Sequence, residues 1–361
     1  MNSLVQVPPP RLSVVLPNFN HGAYIVRALN ALLAQDVLAD EVIVIDDASR
    51  DSSAAIIRKY SEKHQCIHPI FNSENRGVVG ALQQSREVAR GTYVYFAAAD
   101  DWITPGFFAR SLKLLTEHQQ ADIACADAIL VDGHTGEFRG YRPVIRPSFH
   151  ARFVDPAAAR RLLAKTDNWI WTGSALFRRA AVLAGGALDP DLRSFADGFL
   201  ARKIALTSGF CYTPQVGLHC SLFSTGFSHS LLLDPDQART LEERAIKKMS
   251  NDPEFPVWYP AVFRRRWHFA VARLALESYP RHKTLLVEMG SRSPFERRVL
   301  GLAMELPIRR LAHTAALFLL WRRWRPHSLI GLAMTAFQRF FEGRPEKDSE
   351  LRISFGQEDG R

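Results

Sequence analysis

Cysteine is scarce in this sequence and is not arranged for bridging or for zinc. The 361 residues include four cysteines, Cys66, Cys125, Cys211 and Cys220, and no two of them form a CxxC pair. Disulfide frameworks and structural zinc sites usually show closely spaced cysteines. The opening residues, MNSLVQVPPP, also lack the basic end and apolar centre of a signal peptide. We therefore expect reduced thiols and a cytoplasmic protein.

Several motifs that would announce a function are also absent. No GxGxxG follows the first predicted strand, and there is no GxxxxGK[ST], so dinucleotide and P-loop functions lose their main support. There is no HExxH and no GxSxG, which argues against a zinc protease and an α/β-hydrolase. The apolar run at residues 311–321 is eleven residues long, whereas a helix needs about 20 to span a bilayer.

The first 120 residues alternate between two kinds of apolar pattern. Short runs rich in β-branched residues, such as SVVL and EVIVI, predict buried strands, and segments such as AYIVRALNALLAQ have helical spacing. This alternation predicts an α/β fold with a mostly parallel central sheet flanked by helices. From about residue 235 the pattern is helical. We predict a catalytic domain at 11–230, a helical, basic region at 231–345 and a polar tail at 346–361.

Positive charge is concentrated in the last third of the chain. The net charge is +9, and the sequences FRRRWHF, IRRLAH and LWRRWRPH combine arginines with aromatic residues. Such clusters suit nucleic acid, anionic lipid or an anionic substrate, and a solvated helix face is the plain alternative. Arginine and tryptophan flank the short apolar run, as in a helix lying on a membrane surface. Packing on the catalytic domain or in a homo-oligomer stays open. Peripheral membrane contact stays open beside these alternatives, and we expect no nucleic-acid partner.

Polar side chains follow three of the predicted strands. They are Asn18 and Asn20, then Asp46 and Asp47, then Asp100 and Asp101. Because parallel strands end at one edge of a sheet, these residues predict a ligand site there. Two adjacent aspartates repel each other, and a divalent cation, Mn²⁺ or Mg²⁺, would compensate while binding substrate phosphates. The alternative is that Asp101 caps the helix that begins near Pro105.

The order of these segments resembles the N-terminal half of a family 2 glycosyltransferase. The matching stretches are SVVLPNFNHGAYIVRALNALLAQ, DEVIVIDDASRDSS, NRGV and GTYVYFAAADDW. The resemblance is dense over residues 11–115 and looser to about 228. It implies a GT-A nucleotide-diphospho-sugar transferase fold, a divalent cation and inverting transfer of a sugar, with UDP favoured. The implied acceptor is a hydroxyl of a glycan or lipid-linked molecule in surface polysaccharide or glycolipid synthesis.

The resemblance assigns the donor site residue by residue. The loop bordering the nucleotide base corresponds to Pro17, Phe19 and Asn20. Phe19 packs on the base or fills the core. Asp47 corresponds to the acid that accepts a hydrogen bond from a uracil imide, and Asp46 to a residue that holds the loop or the ribose. Arg76 corresponds to the segment beside the nucleotide, where it meets phosphate or ribose or is an ordinary surface arginine.

The same resemblance assigns the metal site and the base. AAADD corresponds to the Asp-x-Asp metal motif, with Ala98 at the first acid position, so the metal site of Asp100 and Asp101 is incomplete. Asp197 in SFADGFLARK corresponds to the catalytic base at a helix start, and Ala196 takes the usual glutamate position. A carboxylate there suits removal of a proton from the acceptor hydroxyl. An ordinary N-cap is the alternative.

Two further pairs of residues complete the expectations. Trp169 and Trp171 correspond to the acceptor side, where they would stack on sugar faces or pack in the core. His219 and His229 lie where relatives close a loop over the diphosphate. Two other functions stay open. One is a nucleotidyltransferase, although PNFNHGAY is not the Gly-rich basic loop it would need. The other is an inactive, nucleotide-sugar-binding relative, which the alanines at 98 and 196 would suit.

Overall fold

The computed structural model describes residues 12–165, 172–186, 188–223 and 226–342, so Trp169 and Trp171 lie outside the described residues. The strands are β1 Leu12–Asn18, β2 Glu41–Asp46, β3 Ile67–Phe71, β4 Tyr93–Phe96, β5 Trp102–Ile103, β6 Ile123–Asp132, β7 Phe138–Arg142, β8 Arg152–Val154, β9 Ala175–Arg178 and β10 Phe210–Leu222.

The helices surround these strands and then continue without them. They are α1 Ile25–Leu33, α2 Ser53–Lys63, α3 Gly77–Val88, α4 Phe107–Glu117, α5 Pro156–Lys165, α6 Arg179–Ala184, α7 Ala196–Ser208, α8 Phe227–Leu233, α9 Pro235–Asn251, α10 Tyr259–Glu277, α11 Lys283–Gly290, α12 Pro294–Met304, α13 Arg309–Trp324 and α14 Leu329–Glu342. Short 3₁₀ helices lie at Thr172–Ser174 and Pro190–Phe195. No strand follows β10 in the described residues, as the helical pattern predicted.

The strands form one sheet in the order β3-β2-β1-β4-β9-β6-β10-β5, with β7 beside β6 and β8 beside β10. The ladder β3-β2-β1-β4 is parallel, as is the β6–β10 pair. Strands β5, β7, β8 and β9 add antiparallel pairs. The predicted α/β fold is confirmed. The parallel ladder lies in the first 120 residues, where the alternating strand and helix pattern is clearest. In the β1–β2 register Asn18 lies opposite Asp46, so the polar strand ends do meet at one edge.

Alternate residues of β1 point to opposite faces of the sheet, and each face carries its own hydrophobic cluster. Val14 and Leu16 pack with Ile25 of α1 on one face, whereas Val15 packs with Ile43 on the other. This is why β1 reads as a continuous apolar run rather than as alternating polar and apolar residues.

The helices after residue 226 belong to the same core as the sheet. The cluster that contains Val15 and Ile43 continues through Phe199 of α7 to Phe263 of α10 and Leu320 of α13. The chain therefore builds one continuous hydrophobic interior across the predicted boundary near residue 230, and that boundary stays a prediction. Within the described ranges, no helix combines the length and the apolarity needed to cross a bilayer.

Candidate donor and catalytic site

The ends of β1 and β2 are joined by buried polar side chains. Asn18 Nδ2 donates to Asp46 Oδ1 at 2.8 Å and to Ser49 Oγ at 3.1 Å. Asn18 and Asp46 are both buried. A buried carboxylate needs such partners, because leaving it unpaired would cost several kcal/mol. Asp46 is thus tied to the end of β1, and its role toward the loop or the ribose stays a prediction.

The loop after β1 turns sharply and presents an aromatic ring. Asn20 has a φ of 55°, a left-handed conformation that asparagine tolerates better than most residues. Its backbone N–H donates to Ser49 Oγ at 2.9 Å, and its Oδ1 accepts from the Arg50 N–H at 2.8 Å. Pro17 is buried in β1, whereas Phe19 is 42% exposed. Phe19 therefore does not fill the core, which leaves its ring available at this edge.

Asp47 connects the edge to the start of α3. Its carboxylate accepts from Asn72 Nδ2 at 2.8 Å and from the backbone N–H of Arg76 at 2.9 and 3.0 Å. Asp47 is buried, and Arg76 is exposed at the beginning of α3. A carboxylate has about four acceptor positions, so these contacts leave room for a further donor. The roles of Asp47 and Arg76 toward a nucleotide stay predictions.

Asp101 fastens the loop after β4 to strand β10. Its Oδ1 accepts from the Ser221 N–H at 2.7 Å. The alternative that Asp101 caps α4 is wrong, because α4 begins after Gly106, which has a φ of 73° and is the N-cap residue, and no side chain caps this helix. Burial, together with the neighbouring Asp100 carboxylate, raises the pKa of Asp101 to about 8. Asp100 is half-buried.

Arg27 of α1 is a site residue that the sequence reasoning missed. Its Nη2 donates to the Asp100 carbonyl at 2.9 Å and to Ser221 Oγ at 3.3 Å. Its guanidinium lies 3.7 Å from the Trp102 ring centroid, and Trp102 stacks on His219 at 4.8 Å. Burial lowers the Arg27 pKa, although both aspartates oppose this shift. One signal was present, since Arg27 is the only charged residue of α1.

Asp197 lies in the first turn of α7. The N-cap residue is Phe195, so the ordinary N-cap alternative is wrong. Asp197 Oδ1 accepts from the Gly198 N–H at 2.7 Å, and Oδ2 accepts from the Thr172 hydroxyl. The Tyr95 hydroxyl donates to the Gly173 carbonyl at 2.8 Å. These contacts join β4, which leads to Asp100, with the helix that carries Asp197.

The two histidines lie in different places. His219 is in β10, stacked on Trp102 and two residues from Ser221, so it belongs to the Asp100 loop. His229 is in α8, away from the Asp100 loop in the chain and near His282 before α11. In the parts of the chain that the structure describes, no group of three or more His, Cys, Asp or Glu side chains could hold a metal ion. A cation here would need oxygen ligands from a substrate.

Comparison with known proteins agrees with this geometry. The family described as Glycosyl transferase family 2 matches residues 13–184, which run from β1 to α6. Residues 13–184 form a family 2 glycosyltransferase domain. The family predicted from the sequence is confirmed. The match includes the polar strand ends and the Asp100 loop, while Asp197 follows it by thirteen residues.

Curated relatives match different shares of this chain. The uncharacterized glycosyltransferase alr2836 of Nostoc sp. is 37% identical over 194 residues, which are 52% of this chain and 57% of that protein. The glycosyltransferase GlyA of Streptococcus pneumoniae is 26% identical over 55% of this chain and 28% of its own length. The uncharacterized protein MT1568 of Mycobacterium tuberculosis is 28% identical over 59% of this chain and 68% of its length. The chain thus spans less than two thirds of the Nostoc and Streptococcus proteins.

Solved structures share the fold of this chain along most of its length. S. aureus TarS 1-349 in complex with UDP-GlcNAc gives a TM-score of 0.60 at 17% identity, covering 87% of this chain and 91% of that chain. The mannosyltransferase PcManGT from Pyrobaculum calidifontis, in complex with GDP-Man and Mn²⁺, gives 0.55 at 21% identity, covering 92% and 90%. The predicted GT-A fold is confirmed. Such coverage necessarily includes much of the helical region after residue 230.

Proposed function

We propose that this glycosyltransferase moves a sugar from a nucleotide-diphosphate sugar, with a UDP-sugar favoured, to a hydroxyl acceptor with inversion. One observation carries the proposal. Hydrogen bonds through Tyr95, Gly173 and Thr172 connect β4, which leads to Asp100, with Asp197 at the start of α7. Support comes from TarS with UDP-GlcNAc and PcManGT with GDP-Man, two proteins of this fold that bind nucleotide sugars.

The donor nucleotide would lie over the ends of β1 and β2. The exposed ring of Phe19 offers a face for the base, beside Pro17 and Asn20. Asp47 would accept from the base imide through an oxygen that still has a free lone pair, and Arg76 would reach phosphate or ribose. The Asp46 carboxylate already accepts a hydrogen bond from Asn18, so its contribution would be to keep the ends of β1 and β2 together.

Asp100 fits a divalent cation better than Asp101 does. One oxygen of Asp101 already accepts from the Ser221 N–H, which ties Asp101 to β10. Mg²⁺ and Mn²⁺ commonly take one or two carboxylates plus phosphate oxygens and water. We therefore propose that Asp100 holds the cation directly and that Asp101 positions the loop. When bound, the cation stabilises the negative charge on the departing diphosphate.

Asp197 would act as the general base. Its carboxylate would take the proton of the acceptor hydroxyl while that oxygen attacks the anomeric carbon and the bond to the diphosphate breaks. The Thr172 hydroxyl and the Gly198 N–H hold the two carboxylate oxygens, so the base is oriented before the acceptor arrives. A single displacement from the face opposite the diphosphate inverts the configuration at that carbon.

The acceptor and setting are part of the same proposal. We propose a glycan or lipid-linked acceptor in surface polysaccharide or glycolipid synthesis, with Trp169 and Trp171 on the acceptor side. The protein would work in the cytoplasm, at the inner face of the membrane.

The decisive experiment separates donor binding from turnover. Titration calorimetry with UDP-, GDP- and dTDP-sugars, with and without Mn²⁺, identifies the donor, and Asp197→Asn is then assayed for transfer. We expect unchanged donor affinity and a loss of turnover of about a thousandfold or more. Asp236→Asn is the matched control, since Asp236 lies in the first turn of α9 and is 93% exposed. Failure of every nucleotide sugar to bind would overturn the proposal, as would normal turnover in Asp197→Asn.

A further inference from the structure

Helix α14 (Leu329–Glu342) packs on the protein through a polar stripe. The stripe consists of Gly331, Thr335, Gln338, Arg339 and Glu342, which share one face because their spacing follows the helical repeat. It contacts the segment 141–149 that follows β7. Ile145 lies against Gly331, the Arg146 N–H donates to Thr335 Oγ1 at 3.2 Å, and Gln338 Nε2 donates to the Phe149 carbonyl at 3.3 Å.

Buried ion pairs fix the rotation of this helix about its axis. Arg146 donates to both carboxylate oxygens of Glu342, at 2.7 and 2.8 Å, and its Nε donates to Asp127 Oδ2 at 2.8 Å. Arg339 Nη2 donates to the same Asp127 oxygen at 3.0 Å and to the Pro143 carbonyl at 2.8 Å. Asp127 is fully buried in β6. Turning α14 would remove Arg339 from the buried Asp127 and Glu342 from the buried Arg146, which is unfavourable because buried charges would lose partners.

The opposite face of α14 is apolar and points away from the protein. Ile330, Met334, Phe337 and Phe341 repeat at helical spacing and are 49–74% exposed, and Leu329 and Phe340 extend the patch. A surface helix normally buries its apolar face and exposes its polar one, so α14 is inverted. Contiguous exposed apolar patches of this kind mark sites of interaction with a protein or a membrane.

The part of the chain that leads to this helix is rich in arginine. Nine arginines and three glutamates lie between residues 292 and 342. Arg322 and Arg325, just before α14, are exposed, and so are Arg309 and Arg310 beside the exposed Leu311 of α13. A second copy of this chain carries the same excess of arginines over glutamates in this region, so it brings no complementary charge. An anionic lipid surface offers hydrocarbon for the apolar face and negative charge for the arginines.

We propose that the apolar face of α14 lies in the surface of an anionic lipid bilayer. The helix has 14 residues, too few to cross a bilayer, so it would lie along the interface. The ion pairs to Asp127 tie it to β6 and hence to the sheet that carries the site. Binding to lipid would also bring a lipid-borne acceptor to this sheet. That consequence rests on the proposed function, whereas the binding itself does not.

Flotation of the full chain with vesicles tests the proposal. Vesicles of phosphatidylglycerol and phosphatidylethanolamine should carry the protein, in a salt-sensitive manner, and phosphatidylcholine vesicles should carry much less. The variant Phe337→Asp/Phe341→Asp should partition about tenfold more weakly or worse. The matched control is Phe138→Asp/Val257→Asp, which adds the same charge at residues 55% and 99% exposed elsewhere, and it should float like the wild type.

Three results would overturn the proposal. The first is that the wild type does not bind the anionic vesicles, and the second is that the two double variants bind them equally well. The third is that the wild type binds no vesicles but forms a dimer, and that Phe337→Asp/Phe341→Asp dissociates this dimer. The last result would make this face a contact between copies. Donor titration of both variants keeps this test apart from the proposed function, because donor affinity should equal that of the wild type whichever way the vesicle experiment ends.

Discussion

Two regions of the molecule bury charged side chains. One is the edge of the sheet where β1, β2 and β4 end, here called the donor edge, and the other is the contact of helix α14 with β6. The buried charges have different roles in the two regions. At the edge, Asp46, Asp47 and Asp101 hold backbone and amide groups of neighbouring loops, which leaves Asp100 and the Phe19 ring accessible. Under α14, Asp127 pairs with the two arginines Arg146 and Arg339. The first arrangement fixes the loops at the strand ends, and the second fixes the orientation of a helix.

We expect substitutions in the two regions to have separate effects, on substrate binding at the donor edge and on stability under α14. Loss of a buried polar group that holds a loop should mainly weaken the use of the substrate. Loss of a buried charge between two opposite charges should mainly lower the free energy of unfolding. Variants that damage one region and spare the other are the way to test this.

The largest effect on stability should come from Asp127→Asn. This change leaves Arg146 and Arg339 with an uncompensated buried positive charge, and we expect the free energy of unfolding to fall by about 3 kcal/mol. Chemical denaturation measures it. The control Asp122→Asn breaks the Asp122–Arg178 pair, whose side chains are each 23% exposed, and should cost at most about 1 kcal/mol. Donor affinity should survive in both variants. Equal losses in the two would remove the distinction between the regions.

A smaller effect, on activity rather than stability, is expected for Arg27→Lys. Lysine keeps the charge but loses the planar group that stacks on Trp102 and reaches the Asp100 carbonyl. If Arg27 positions the Asp100 loop, kcat/KM for the donor should fall about tenfold to a hundredfold, and the Mn²⁺ concentration for half activity should rise. Steady-state kinetics across a Mn²⁺ series measures both.

The control for this prediction is Arg178→Lys, because Arg178 lies over Tyr93 at the opposite end of β4. It should leave the Mn²⁺ dependence unchanged. A loss of stability in Arg27→Lys with an unaltered Mn²⁺ dependence would show that Arg27 is structural only.

The smallest effect should be the pH dependence of the Glu342 contact. The hydrogen bonds from Arg146 lower the pKa of Glu342 below its ordinary value of 4.5. A depressed carboxyl pKa stabilises the folded state above the ordinary value, and that contribution is lost as the pH falls through the lower one. Glu342→Gln should therefore lose well under about 1 kcal/mol at pH 7, because the side chain is 43% exposed.

Denaturation of the wild type and Glu342→Gln at pH 7 and pH 3 gives this difference, which should shrink at the lower pH. Glu243→Gln, on the exposed side of α9, provides the reference. A difference that grows on acidification would contradict the assigned sign.

Much of the donor edge could be predicted because its signal is local. Asn18, Asp46 and Asp100 each follow an apolar run, and parallel strands bring such ends together without further information. The exposure of Phe19, the bond from Asp101 to Ser221 and the role of Arg27 could not be predicted. Each depends on a partner remote in the chain, up to 194 residues away for Arg27 and Ser221.

The sequence by itself determined the α/β alternation, the polar strand ends, the family and the helical, basic last third. It also determined that α14 has two faces, since helical periodicity separates them. Which face turns inward was decided only by the tertiary structure. Asp127 and Arg146 select the polar face across 212 and 196 residues, because a buried carboxylate and a buried guanidinium must be paired whatever the local pattern favours.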